Sequence, residues 1–158
     1  MKIEVDGAHS GIRFSACHFI AGHEKCARLH GHSYIVRLAV EGDIGEDGMV
    51  MDFVVLKKAL RNMVECYDHR VLLPGNSDDA QIDVGEETTV VSRGKRYVFP
   101  TDDVVILDVK HTTAEEMVAM MLDGLLQEVR PPKNVKALYL GLDEERGQTA
   151  WASRRLRE

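Results

Sequence analysis

The run HGHSYIVRLAV, His30 to Val40, constrains the fold of this chain more than any other segment. It alternates so that His30, His32, Tyr34, Val36, Leu38 and Val40 share one face, which is the two-residue period of a β-strand. IRFSACH, Ile12 to His18, alternates in the same way and gathers Ile12, Phe14, Ala16 and His18. Two antiparallel strands joined by the loop FIAGHEKCARL are the simplest arrangement, and that loop carries Cys26.

Downstream, the turn GDIGEDG leads into MVMDF, which reads as a short strand ending at Asp52, a residue suited to cap a helix. Phe53, Leu56, Leu60, Met63, Val64 and Tyr67 fall at helical spacing, so the pattern predicts an amphipathic helix over 53–67. Ile82 to Phe99 is predicted as a hairpin turning at Gly94, and DVVILDV, residues 103–109, as a further strand. Thr113 followed three residues later by Glu116 has the pattern of a capping box. It opens a second helix with Met117, Met121, Leu125 and Val129 on one face, which Pro131-Pro132 ends. VKALYLGL and TAWASRRL form a last hairpin across DEERGQ. This order predicts one α+β domain over 1–158, an antiparallel sheet with two helices on one face and an inserted hairpin at about 74–100.

A chain of 158 residues can bury one core without covalent staples. Its 20 Lys and Arg against 26 Asp and Glu leave a net charge of −6, which argues against a general nucleic-acid-binding surface. A local basic cluster for a small anion is still compatible with that balance. No window approaches the roughly 20 apolar residues of a membrane span, and MKIEVDGAHSG lacks the apolar centre of a signal peptide. A cytoplasmic protein without membrane or nucleic-acid partners is expected. Cys17, Cys26 and Cys66 are odd in number and irregularly spaced, which points away from a disulfide framework.

His30 and His32, two apart on a strand, direct both imidazoles to one side about 7 Å apart. An antiparallel partner could bring His18 opposite them. Three neutral imidazoles from two strands make a zinc site with an open position, the arrangement used in catalysis. The spacing also fits a closed structural site completed by Cys26, and it fits ordinary polar residues near a sheet edge. A thiolate close to such a metal but outside its ligand set would be a base.

FSACH, CARLHGHSY, GMVMDF, YDHRVL and TTAEE occur in the same order as the motifs of the 6-pyruvoyltetrahydropterin and 6-carboxytetrahydropterin synthase family. The chain resembles that family over most of its length outside the inserted hairpin. The resemblance implies a tunnelling fold, in which subunits pair their sheets into a barrel, trimers stack into a homohexamer and active sites form between subunits. It implies His18, His30 and His32 as ligands of one zinc ion, Zn2+. Cys26, four residues before the first histidine of HGH, would be the catalytic base. Asp68 and His69 of YDH would be a second proton-transfer group, the carboxylate orienting the imidazole.

A pterin ring presents adjacent N–H donors that one carboxylate can accept together. The family's glutamate for this task aligns with Glu144. The family's usual Glu-Thr pair is replaced by DEE, so Asp143 and Glu145 are alternatives. Thr112, Thr113 and Glu115 match the segment that borders the pterin pocket.

The implied substrate is 7,8-dihydroneopterin triphosphate. The short CxxxHGH spacing resembles the branch that releases acetaldehyde and triphosphate to give 6-carboxy-5,6,7,8-tetrahydropterin, a precursor of 7-deazaguanine bases such as queuosine. Other outcomes are 6-pyruvoyltetrahydropterin by triphosphate elimination, and a 6-hydroxymethylpterin branch that carries glutamate near the cysteine position. A zinc hydrolase would leave Cys26 and Glu144 without roles, and a non-catalytic small-molecule-binding protein with a structural zinc would bury Cys26 as a ligand. Lys25 and Arg28 flank Cys26 and read as solvated loop charges or a triphosphate contact; His9, His23 and His111 read as surface or loop residues. The inserted hairpin is expected at the rim of the oligomer.

Overall fold

The computed structural model describes residues 1–157. Along the chain lie β1 (Lys2–Asp6), the one-turn helix α1 (Gly7–Ser10), β2 (Arg13–His18), β3 (His30–Gly42) and α2 (Phe53–Glu65). They are followed by β4 (Arg70–Pro74), β5 (Gln81–Val84), β6 (Glu87–Ser92), β7 (Lys95–Pro100) and β8 (Val104–Leu107). The chain closes with α3 (Ala114–Val129), β9 (Val135–Glu145) and β10 (Gln148–Arg155).

Seven strands make the main sheet in the order β10-β9-β3-β2-β4-β8, with β1 added beside β3. The alternating run at its centre is one 13-residue strand, β3. β9 pairs along one edge of it, and on the other edge β2 covers residues 30–35 while β1 covers 37–41. Helix α1 makes the jog between β1 and β2. It lies so close to β3 that a Cβ on Gly7 would stand 2.0 Å from the Val36 carbonyl oxygen, so only glycine fits.

The expected antiparallel sheet is mixed, because β2 and β4 run parallel, as do β4 and β8. Parallel neighbours need long crossovers, and here β3 with α2 and then residues 75–103 provide them. Side-chain alternation reports the buried face of a strand and carries no information on direction. The sheet is open, with β10 and β8 at its ends, so no barrel closes among the described residues. The expected strand MVMDF is not formed: residues 49–52 make a bend and Phe53 opens α2. The Asn134 side-chain amide donates to the carbonyls of Asp43 and Val50 and braces them. Asp52 does cap α2, accepting from Val54 N at 2.7 Å.

Both long helices pack into the same core. Leu56 and Leu60 of α2 and Met117, Met121 and Leu125 of α3 meet Phe14, Tyr34, Leu38, Leu140 and Leu142 of the sheet. Full burial of each such side chain contributes roughly 1.5–3 kcal/mol. The face of β2 and β3 that carries the core residues is the face that carries His18, His30 and His32.

The expected hairpin at 82–99 is present as β6 and β7 and gains a third strand, β5. Arg93 and Gly94 turn it with positive φ at both positions, the geometry of a two-residue type I′ loop. This small sheet does not pair with the main one. It has its own apolar cluster, in which Ala80 and Val90 meet Phe19, Ala21, Val71 and Leu73. Among the described residues no helix is long and apolar enough to cross a membrane.

Candidate metal centre and its surroundings

The β2–β3 register sets His18 directly opposite His30 and Ala16 opposite His32. One nitrogen from each of the three imidazoles lies within 4.8 Å of the others. The ring centroids are 4.6 Å apart for His18 and His30, 5.3 Å for His18 and His32, and 5.1 Å for His30 and His32.

Backbone carbonyls orient two of the rings. His18 Nδ1 donates to the Thr112 carbonyl at 2.7 Å and His30 Nδ1 to the Arg28 carbonyl at 2.6 Å. A carbonyl only accepts, so each Nδ1 carries the proton and each Nε2 keeps its lone pair for a ligand. Burial pushes the His18 imidazole down to about 4, against which the Thr112 bond works only in part. His18 is therefore neutral at pH 7, the form that binds a metal.

Tyr34, next on the same face of β3, places its hydroxyl 3.4 Å from His18 Nε2. Burial first, and then the Glu144 carboxylate, drive its phenol above the ordinary tyrosine range, so it remains a neutral hydroxyl. Its parity with His30 and His32 puts it on the cluster's face of the strand.

Glu144 reaches the cluster from β9. Its Oε1 is 3.5 Å from His18 Nε2 and 3.6 Å from His32 Nε2. His32 Nε2 and Glu144 Oε1 are both buried without a hydrogen-bond partner. Unpartnered buried polar atoms are costly, and three imidazole lone pairs beside a carboxylate suit a divalent cation of the zinc type. The donor set thus fits a metal.

The three acidic candidates of DEE separate clearly. Asp143 is held by Arg37, whose Nε and Nη2 lie 3.0 Å from Oδ2, and by the Thr149 hydroxyl at 2.7 Å from Oδ1. Successive strand residues face opposite sides, so Asp143 points away from the cluster. Glu145 is exposed, with Oε1 3.8 Å from His32 Nδ1. Glu144 and Glu115 share a hollow of about 260 Å³ with Ala114, Gln148, Thr149 and Ala150.

Thr112 is fully buried. Its carbonyl orients His18 and its hydroxyl donates to the Phe19 carbonyl at 2.9 Å, so it acts on the ligand strand. Thr113 caps α3, accepting from Glu116 N. The Glu116 carboxylate accepts from the backbone N–H groups of Lys110 and His111 and from His111 Nδ1.

Cys26 sits in the loop between two ligand strands. Its N–H donates to His23 Nδ1 at 3.1 Å and its carbonyl accepts from Ile20 N at 2.7 Å. Asp68 Oδ2 lies 2.9 Å from His69 Nδ1. Asp68 Oδ1 accepts from Ser15 N at 2.7 Å, which together with His69 holds the carboxyl below its usual range. His69 lines a depression of about 560 Å³ with Ser15, Cys17 and Ser33, whose side chains alternate with those of Phe14, Ala16 and His18, and the depression is also bordered by Ala16 and His32. Among the described residues no hydrogen bond or ion pair joins this pair to the three histidines.

The family profile described as 6-pyruvoyl tetrahydropterin synthase matches residues 9–155. A Methanocaldococcus jannaschii protein, provisionally named a 6-carboxy-5,6,7,8-tetrahydropterin synthase, is 30% identical over 154 residues, 95% of this chain and 94% of that protein. The Bacillus subtilis 6-carboxy-5,6,7,8-tetrahydropterin synthase is 36% identical over 97 residues, 60% of this chain and 56% of its own length. Among solved structures, a catalytic-residue variant of Plasmodium vivax 6-pyruvoyltetrahydropterin synthase, with alanine in place of a glutamate, superposes with a TM-score of 0.92. It is 31% identical, and the match covers 99% of this chain and 98% of that one. The sheet and helices described above are thus those of the tunnelling fold. The chain belongs to the 6-pyruvoyl tetrahydropterin synthase family.

Proposed function

We propose that this chain is a zinc-dependent lyase that converts 7,8-dihydroneopterin triphosphate and water to 6-carboxy-5,6,7,8-tetrahydropterin, acetaldehyde and triphosphate. The observation that carries this reading is the convergence of three imidazole nitrogens within 4.8 Å, beside an unpartnered Glu144 oxygen. The likeness to the M. jannaschii protein over 95% of this chain, and the short CxxxHGH spacing, favour the carboxy-forming outcome, while the cysteine at position 26 speaks against the 6-hydroxymethyl branch.

A zinc ion held by His18, His30 and His32 would supply Lewis-acid polarisation of the substrate side chain. The remaining work falls to the chain's own groups. Glu144 and Glu115 line a hollow where Glu144 can accept the N–H edge of the pterin. Cys26, as thiolate, takes a proton from the side chain. His69 has Nδ1 committed to Asp68, which leaves Nε2 to give or receive the second proton.

Among the described residues no hydrogen bond or ion pair joins Asp68 and His69 to the cluster, and His69 opens onto the depression bordered by Ser15, Cys17 and Ser33, so the contacts of one chain do not join all these groups. A site completed by the His69 of a second copy resolves this, and it supports a homo-oligomer with sites between subunits. The open ends of the sheet at β8 and β10 suit such an assembly, a barrel closed between copies. The product would feed 7-deazaguanine synthesis.

A second reading, elimination of triphosphate to 6-pyruvoyltetrahydropterin, draws on the close superposition with the P. vivax enzyme. Mass spectrometry of the product made by zinc-loaded protein separates the two, with Cys26→Ala as control. A 6-carboxy product lost in the variant supports the first reading, and a 6-pyruvoyl product overturns it in favour of the second.

A further inference from the structure

The catalytic motifs leave the β5–β6–β7 sheet without a task. A three-stranded sheet with one apolar face must cover that face to be stable. What covers this one is β4 and the start of the Cys26 loop. Tyr97 of β7 stacks on Phe19, with centroids 5.6 Å apart and planes at 16°. Ala21 is buried in the same cluster as Ala80 and Val90.

These residues follow the ligand His18 directly, and each residue from His18 to Ala21 is held. His18 is bound to the Thr112 carbonyl, and the Phe19 carbonyl accepts from the Thr112 hydroxyl. Ile20 N donates to the Cys26 carbonyl, and Ala21 is packed under the small sheet. The clamp on Phe19 and Ala21 therefore fixes the strand of backbone to which Cys26 is tied.

A second tie comes from the hairpin tip. The Arg93 guanidinium donates to the His23 carbonyl at 3.2 Å. That carbonyl also accepts from Ala27 N at 3.1 Å, while the His23 ring accepts from Cys26 N at 3.1 Å. His23 thus closes a single turn with Cys26 inside it, and Arg93 pins this turn to the inserted sheet. Among the described residues Arg93 makes no ion pair, so this backbone oxygen is its partner.

We infer that the inserted sheet is a positioning element for the reaction: Arg93 and Tyr97, acting through His23 and Phe19, fix Cys26 relative to the three-histidine cluster. Neither residue touches the reacting atoms. The inference rests on the proposed role of Cys26 for its effect on turnover, while its effect on the loop is independent of that role.

The test uses the full-length, zinc-loaded protein and two readouts. One is the rate of Cys26 alkylation by iodoacetamide, followed by peptide mass spectrometry with exposed Cys66 as internal reference; the other is kcat and KM. Arg93→Asn removes the guanidinium but leaves Asn-Gly, the pair preferred in a type I′ turn, so the hairpin itself is not weakened. The expected result is a several-fold change in Cys26 alkylation and a fall in kcat on the order of tenfold, the cost of a displaced catalytic group. KM and one zinc per chain should be retained, and Arg93→Lys should restore both readouts in large part. Tyr97→Phe keeps the stacked ring and should match the parent protein, whereas Tyr97→Ala should act like Arg93→Asn.

Unchanged Cys26 alkylation in both Arg93→Asn and Tyr97→Ala overturns the inference, whatever the activity does. If the parent protein fails to turn over the pterin, the functional reading fails, and the alkylation comparison still decides whether the sheet holds the loop.

Discussion

His18 and His30 face each other across the β2–β3 ladder, their rings 4.6 Å apart, each with Nδ1 bound to a backbone carbonyl from outside its own strand. Register brings the rings together, and the carbonyls of Thr112 and Arg28 turn the remaining nitrogens inward. Loss of one ligand should therefore abolish the site without unfolding the sheet. His32→Ala is predicted to reduce bound zinc from one per chain to a small fraction, read by elemental mass spectrometry, with a far-UV circular dichroism spectrum like that of the parent.

The buried His18 gives a signed pH dependence to the metal-free protein. In the unfolded chain this imidazole takes its proton near its ordinary value of 6.5, and in the folded protein only near 4. Between these values the unfolded state binds more protons, so stability is complete above about pH 6.5 and falls as pH drops toward 4. The loss should reach about 3 kcal/mol. Urea titrations of chelator-treated protein at pH 7 and pH 4.5 should show it, with a smaller difference in His18→Gln. An equal pH effect in the two proteins would contradict the assignment.

Much of this architecture was legible in the alternation of β2 and β3, because a strand with one buried face imposes period two on its sequence. The capping residues Asp52 and Thr113 marked both long helices through their short local hydrogen bonds. Strand direction was not legible, since β4 and β8 read alike whether parallel or antiparallel to their neighbours. The role of Thr112 was also hidden, because its carbonyl belongs to no side-chain pattern and its register with His18 spans 94 positions. Glu144 was the aligned carboxylate of DEE with Asp143 and Glu145 as alternatives, and the ion pair of Asp143 with Arg37, 106 positions away, was not legible in that run.

That division between neighbouring carboxylates is open to test. Glu144→Gln should raise KM for the pterin by tenfold or more, on the order expected when a bidentate charged contact is lost. Asp143→Asn weakens the pair with Arg37 and should lower unfolding stability by about 1–3 kcal/mol with KM nearly unchanged. Steady-state kinetics and urea denaturation distinguish the two effects, and the reverse pattern would exchange the roles.

A site completed by the His69 of a second copy predicts complementation. Cys26→Ala and His69→Ala should each be inactive alone. Refolded together in equal amounts, they should regain about one quarter of the parent activity, since half of the cysteines and half of the histidines are intact and combine at random between copies. Activity no greater than that of either variant would mean that each site draws both groups from one chain.

The most direct test is a zinc titration of stripped protein with 7,8-dihydroneopterin triphosphate present and acetaldehyde release as the readout. The account predicts no release without metal and a linear rise that stops at one zinc per chain. Release at full rate in the stripped protein, or a site that fills with zinc yet yields no acetaldehyde, would contradict it.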